Sequence, residues 1–303
     1  LTKEFQPAYR KMSITELKRR TRLAVEKLAD CTVCAQHCHV NRLEGQLGFC
    51  RAGREAVVAS YGSHWGEEEV LVGQNGSGTI FFSYCSMSCE FCQNCEISYH
   101  GEGRDVTASE LADIMLSLQQ TGCHNINLVS PSHFVPQILE ALVLAVEEGL
   151  NLPLVYNTGC YDDLETIKLL DGIVDIYMPD IKFSDDQNGK KYASAPRYFT
   201  VAREVVKEMY RQVGDLQKDD RNIARRGLLV RHLVMPEDLA GSEQVVQFLA
   251  NEISPDTYLH IMKQYYPAHR AGKYPELNRP VYNREHRWAV KKAKEAGLRR
   301  ILS

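Results

Sequence analysis

Three cysteines constrain this chain more than any other feature. Cys85, Cys89 and Cys92 are spaced C-x3-C-x2-C within Tyr84-Cys85-Ser86-Met87-Ser88-Cys89-Glu90-Phe91-Cys92-Gln93-Asn94. They follow Thr79-Ile80-Phe81-Phe82-Ser83, an apolar, β-branched and aromatic run that reads as a buried strand. Three thiols on one tight loop at a strand end are soft ligands, which select zinc, copper(I) or iron–sulfur. A [4Fe–4S] cube held by three thiolates keeps one iron free of protein ligands. An open coordination position is where a metal site can do chemistry. The competing reading is a structural zinc loop, but zinc sites usually pair two C-x2-C hooks, which this loop alone does not supply.

A second cysteine group precedes the first. Cys31, Cys34, Cys38 and Cys50 place four thiols within twenty residues, with little apolar content between them. Such a segment cannot build its own core, and bound metal would fold it by tying its loops together. Four thiolates suit zinc and an auxiliary iron–sulfur cluster equally. Free thiols rank behind metal, and disulfides last. Seven of the ten cysteines fall in these two groups. Leu1-Thr2-Lys3-Glu4-Phe5 has no secretory h-region and no initiator Met. Metal chemistry in a reducing cytoplasm is therefore expected rather than a disulfide scaffold. A net charge of −3 gives no reason to expect a nucleic-acid partner. No apolar run reaches membrane-spanning length.

The 303 residues, 44% of them hydrophobic, can bury a large core. Ser13-Ile14-Thr15-Glu16 is a capping-box pattern opening a helix over residues 13–29. Residues 51–78 read as short strands and turns, with Glu67-Glu68-Glu69 as a solvated acidic face. A βα rhythm then sets in. Strands are expected at 79–83, 125–129, 153–156, 174–178, 228–234 and 257–262, with a short last one at 300–302. Helices are expected at 107–122, 133–148, 164–170, 199–213, 242–253 and 284–297. Strands alternating with helices require right-handed crossovers in a parallel sheet. A full eight-fold barrel needs about 250 residues, somewhat more than remain after residue 78. The expected fold is α/β, an incomplete (β/α)6 TIM-like barrel open on one side. Residues 1–75 would form an N-terminal helix and a four-cysteine metal-binding extension, and residues 76–303 the partial barrel.

The C-x3-C-x2-C spacing with Phe91 before the third cysteine resembles the signature of the radical S-adenosylmethionine (SAM) superfamily. Membership would imply a [4Fe–4S] cluster on Cys85, Cys89 and Cys92. Its fourth iron would take the amino and carboxylate groups of SAM. Reductive cleavage would then give methionine and a 5′-deoxyadenosyl radical that abstracts hydrogen. Asn157-Thr158-Gly159 and Met178-Pro179-Asp180-Ile181-Lys182 resemble the glycyl-radical-enzyme activases, typified by the pyruvate formate-lyase activating enzyme. The resemblance implies that Lys182 contacts the SAM carboxylate region. It also implies that Asp180, Thr158 and the Met178 carbonyl help hold a monovalent cation. Asn157 stands where that family has Asp, which removes one negative charge from the cation site. Ser130 and Ser132, with His133, stand where the superfamily usually has a Gly-Gly-Glu-like stretch near the SAM amino group. Ser132 reads equally as a helix N-cap, and His133 as a surface histidine. Arg231, inside the apolar run Val230–Met235, needs an anionic partner, and the family has an Arg there that reaches the SAM carboxylate or ribose. Asn94 belongs to the same cofactor set. Tyr265 and His269 match a family Tyr-His pair loosely. Cys95 reads as a bystander, and Cys123 and Cys160 as buried thiols.

The cysteine-rich leader, Gly76–Phe82 and Cys92-Gln93-Asn94 resemble a branch related to, but separate from, the activases proper. Three functions compete. The first is an activase-like radical SAM oxidoreductase acting on a glycine of a partner protein. The second is a radical enzyme acting on a peptide or small molecule, with the leader holding an auxiliary iron–sulfur or zinc centre. The third is a non-catalytic iron–sulfur or zinc protein. Either enzyme reading needs an electron donor such as flavodoxin or ferredoxin.

Overall fold

The computed structural model describes residues 5–303. In chain order the elements are α1 (Ile14–Glu26), β1 (Ala56–His64), α2 (Glu69–Val72), β2 (Ser77–Phe82), α3 (Cys95–Ser98), β3 (Arg104–Val106), α4 (Ala108–Gln120), β4 (Ile126–Val129) and α5 (Val135–Glu147). There follow β5 (Leu154–Thr158), α6 (Leu164–Leu169), β6 (Ile176–Pro179), α7 (Asp186–Ala193), α8 (Tyr198–Val213), β7 (Gln217–Lys218), β8 (Ala224–Leu233), α9 (Ser242–Phe248), β9 (Tyr258–Met262), α10 (Asn283–Glu295) and β10 (Arg300–Leu302).

The strands form one sheet in the order β10-β9-β8-β6-β5-β4-β2-β1-β3, with β7 beside β8. From β2 through β4, β5, β6, β8, β9 and β10 each strand is parallel to the next. The six expected parallel strands thus lie in sequence order, and the short strand at 300–302 adds a seventh. Strand β1 runs antiparallel to β2, and β3 antiparallel to β1. The path ends at β3 and β10 without returning on itself, so the sheet is an unclosed barrel. Every residue of β5 is buried, as befits a parallel strand covered on both faces.

Local sequence explains several helix starts. The Ser13 hydroxyl accepts the Glu16 N–H at 3.2 Å. At α4, Thr107 and Glu110 form a complete capping box. Helix α7 lies where the sequence reads as a polar loop. Asp185 caps it, and Tyr192 and Ala193 bury its one apolar face. Gly189 is needed at its centre, because a Cβ there would stand 2.3 Å from the Tyr198 Cβ. Helix α9 stops at Phe248 and continues as a π-helical turn over Leu249–Ile253, within the span expected as one helix.

The leader shares the core of the barrel. Leu17, Ala24 and Leu28 of the first helical segment join the same buried cluster as Ile80, Leu128 and Tyr156 of the sheet. Asp175, 1% exposed, fastens the leader's start to β5. It accepts the Ala8 N–H at 2.9 Å and the Leu154 N–H at 3.2 Å. Asp175→Ala leaves two buried donors without acceptors. It is expected to destabilise the protein by on the order of 2–5 kcal/mol, measured as a lower urea midpoint at an unchanged denaturant slope.

Candidate active site

The cysteine loop begins where β2 ends and is held from three directions. The Ser88 N–H donates to the Ala193 carbonyl at 2.9 Å, and the Glu90 N–H to the Tyr192 carbonyl at 2.8 Å. From the segment after β9, the Arg270 N–H donates to the Glu90 carbonyl at 2.9 Å. The Arg270 guanidinium adds a 2.7 Å bond to the Glu90 carboxylate. From the leader, Gln36 Nε2 donates to the Ser86 carbonyl at 2.9 Å. Phe91 drives the loop into the core, with ring centroids 6.0 Å from Phe183 and 5.9 Å from Tyr265.

Cys85, Cys89 and Cys92 line one wall of a cavity of about 280 Å³ at the C-terminal ends of the parallel strands. Burial pushes the Cys85 thiol up to about 11, and the Cys89 thiol also above its ordinary value. In both cases the neighbouring Cys92 sulfur adds to the rise and Lys182 opposes it. Three thiols that sense each other across one cavity wall become thiolates when a metal group binds them, since a coordinated thiol is deprotonated outright. Three soft thiolates on one cavity wall fit an iron–sulfur group, which needs no fourth protein ligand.

The opposite wall is a charged network. Lys182 Nζ lies 3.1 Å from Asp180 Oδ2, and Arg231 Nε 2.6 Å from Asp180 Oδ1. Arg231 Nη2 donates to Asn157 Oδ1 at 2.8 Å, and Nη1 to Glu67 Oε2 at 3.0 Å. Behind them His260 Nδ1 pairs with Glu68 Oε1 at 2.8 Å. Burial alone would raise Asp180, but Arg231 and Lys182 bring its carboxyl down to about 2. Burial opposes the Lys182 charge, yet Asp180 and the Cys89 sulfur hold the ammonium above its ordinary value. The register explains the convergence. Asn157 pairs across to Met178. Asp180 bridges to Arg231, which pairs with His260.

The anticipated residues separate into two groups. Asn94, Ser130, Thr158, Asp180, Lys182 and Arg231 line the same cavity as the three cysteines. Ser132 does not. It is 3% exposed, and its hydroxyl meets Thr158 Oγ1 at 3.0 Å, which steadies that residue from behind. The Met178 side chain is fully buried in the small core containing Val155, Ile176 and Leu229. His133 is no surface histidine: it is 1% exposed, Nε2 lies 3.0 Å from the Ser83 carbonyl, and burial lowers its pKa to about 3. Tyr265 is a core residue whose hydroxyl donates to the Leu277 carbonyl, and His269 lies against Tyr99. Cys95, Cys123 and Cys160 lie outside the cavity lining.

Sequence reasoning also missed part of the site. The solvated acidic face at Glu67–Glu69 is a misreading for two of the three residues. Glu68 is 6% exposed, and only 7% of the Glu67 side chain is exposed. Glu67 neutralises Arg231 and Glu68 pairs with His260, and Arg231 in its apolar run was the signal that anions had to be near. Tyr198 was missed as well. Its hydroxyl lies between the carbonyls of Gly159 (3.0 Å) and Asp180 (2.8 Å) and accepts the Lys182 N–H at 2.8 Å. Gly159 leaves room for the site: a Cβ there would stand 2.9 Å from Met87 Sδ and 3.5 Å from Lys182 Cε.

The folded-state pKa of Asp180 lies below the unfolded value of about 3.9. Its charge pairing therefore contributes stability that is whole above that value and is lost as the pH falls toward about 2. Asp180→Asn is expected to flatten the acid limb of the stability curve in that window. Urea midpoints measured across it provide the check, and an acid limb as steep as that of the parent would refute the role.

Residues 73–191 match the family model of a 4Fe-4S single cluster domain, a span that contains the three-cysteine loop and the Asp180–Lys182 pair. Partial likenesses of shape extend to HydG, a maturase of the [FeFe]-hydrogenase (TM-score 0.48, 11% identity, 71% of this chain). They extend also to methylornithine synthase, PylB (TM-score 0.46, 16% identity, 72% of this chain). The chain spans 47% of the HydG chain and 62% of the PylB chain. A far broader match is to the uncharacterized protein MJ0674 of Methanocaldococcus jannaschii. It is 30% identical over 298 residues, which cover 96% of this chain and 81% of that protein. With a match that runs through leader, cysteine loop and barrel alike, the chain belongs to the family of MJ0674.

Proposed function

We propose that this protein is a radical SAM enzyme whose cluster is held by Cys85, Cys89 and Cys92. One observation carries the reading: three thiols and a buried Asp180–Lys182 pair face each other across a single cavity at the C-terminal ends of parallel strands. When bound, the cluster and SAM supply one-electron cleavage chemistry and a carbon radical for hydrogen abstraction. The protein supplies the rest. Lys182 presents an ammonium to the cofactor carboxylate, and Asp180 keeps it charged and oriented. Arg231, with donors on Asp180, Asn157 and Glu67, acts as the anchor of that pair. Ser130, Thr158 and Asn94 offer polar contacts along the cavity, while Phe82, Met87, Ile97, Leu233 and Met262 keep its walls apolar.

Within this class our finer reading is activase-like, with hydrogen abstraction from a peptide segment of a partner protein. What supports it is the unclosed sheet, whose free edges at β3 and β10 leave a side of the barrel without strands. A low-potential carrier of the flavodoxin or ferredoxin class would supply the electron.

Anaerobic reconstitution with iron and sulfide, followed by dithionite and SAM, is expected to yield 5′-deoxyadenosine and methionine. Cys89→Ala should abolish the product. A variant that yields as much as the parent would overturn the assignment. Lys182→Met should retain the cluster absorption and weaken SAM binding by roughly ten- to a hundredfold, the loss of one charge-assisted contact of about 1.5–3 kcal/mol. Equilibrium binding of SAM under anaerobic conditions measures it.

A further inference from the structure

The leader holds a second set of donors that the proposed reaction does not use. Cys31, Cys34 and Cys50 are 5–6% exposed, and Cys38 is half-buried. The four sulfurs lie within electrostatic reach of one another. The backbone folds back to gather them. The Cys31 N–H donates to the Val40 carbonyl at 2.9 Å, and the His39 N–H returns to the Cys31 carbonyl at 3.1 Å. Gly48 passes so close to Cys38 that a Cβ there would stand 2.8 Å from its sulfur.

Two of the sulfurs face a donor. The Phe49 N–H points at Cys38 Sγ at 3.2 Å. Arg42 Nη1 lies 4.0 Å from Cys31 Sγ. Donors arranged around sulfur stabilise thiolates more than thiols.

Arg42 is the decisive residue. It is 1% exposed, yet among the described residues no carboxylate lies within 4.0 Å of its guanidinium. Its other bonds go to neutral carbonyls, Gly53 at 2.8 and 3.0 Å and His133 at 2.8 Å. A buried guanidinium without an anion is costly, and neutral thiols do not offset it. Four thiolates around a metal centre carry a net negative charge, and Arg42 stands against that centre.

We infer that Cys31, Cys34, Cys38 and Cys50 bind a second iron–sulfur cluster, with Arg42 as its buried counter-charge. Iron is chosen over zinc on position: the segment sits against the first cysteine loop, close enough for Cys50 to act on Cys85. Gln36 Nε2 reaches the Ser86 carbonyl at 2.9 Å, and Arg51 lies over the Tyr84 ring at 5.3 Å. The two centres share that contact but no ligand, so either can fail alone.

The test counts metal on protein produced with iron and purified without oxygen. The triple variant Cys85→Ala, Cys89→Ala, Cys92→Ala should retain two to four irons per chain with matching acid-labile sulfide, roughly the content of one cluster. The double variant Cys34→Ala, Cys50→Ala should lose that share and keep the iron bound by the first loop. Arg42→Met should lose leader iron while keeping the first cluster. If the double variant does not fold, the triple variant still decides. A triple variant carrying one zinc and no iron, or no metal at all, overturns the inference. Loss of 5′-deoxyadenosine formation in the parent protein would instead count against the proposed reaction and leave this count unaffected.

Discussion

The charged wall of the cavity depends on one buried cation. Arg231 lies toward the end of β8, after the buried run Leu228-Leu229-Val230, and it survives there because two strand ends and a turn bring acceptors to it. Asn157 comes from β5, Asp180 from the end of β6 and Glu67 from the turn before α2. Glu68, 4.0 Å away, ties the same centre to His260 on β9. Desolvating so many charges is tolerable only when each one is paired. The network therefore fixes strand register and lysine orientation at once. A one-residue slip of β8 would turn Arg231 to the other face of the sheet and leave Asp180 and Glu67 without their shared cation.

Much of the architecture could be read from pattern. The parallel strands announced themselves as short apolar runs separated by helix-length periods, and the capping box at Thr107 fixed a helix start to within a residue. The three-cysteine loop and the Asp180–Lys182 pair were legible because their chemistry is local. What escaped was nonlocal. Glu67 and Glu68 look like surface residues until the arginine that neutralises them, more than 160 residues away, is folded against them. Helix α7 is polar by composition, and only its packing beneath Tyr198 makes it a helix. Tyr198 itself reads as one more aromatic in an amphipathic segment, yet its hydroxyl fixes two strand-end loops to each other.

On the proposed reading, the two cysteine sets prepare sulfur for metal in different ways. In the first, the countercharge is a lysine that also faces the cavity, so it is free to serve a ligand. In the second, the countercharge is sealed away, and the Phe49 N–H faces Cys38. One arrangement leaves a wall open to an incoming molecule; the other encloses what it holds.

The clamps on the cysteine loop come from far along the chain. Ala193 and Tyr192 lie about a hundred residues after it, and Arg270 some 180 residues after it. During synthesis from the N-terminus, Cys85, Cys89 and Cys92 therefore emerge long before the segments that will position them. Until the last third of the protein has been made, the Arg270 clamp on this loop cannot form. The clamped geometry of the three thiols is thus completed only late in the making of each molecule, when its last third has been added.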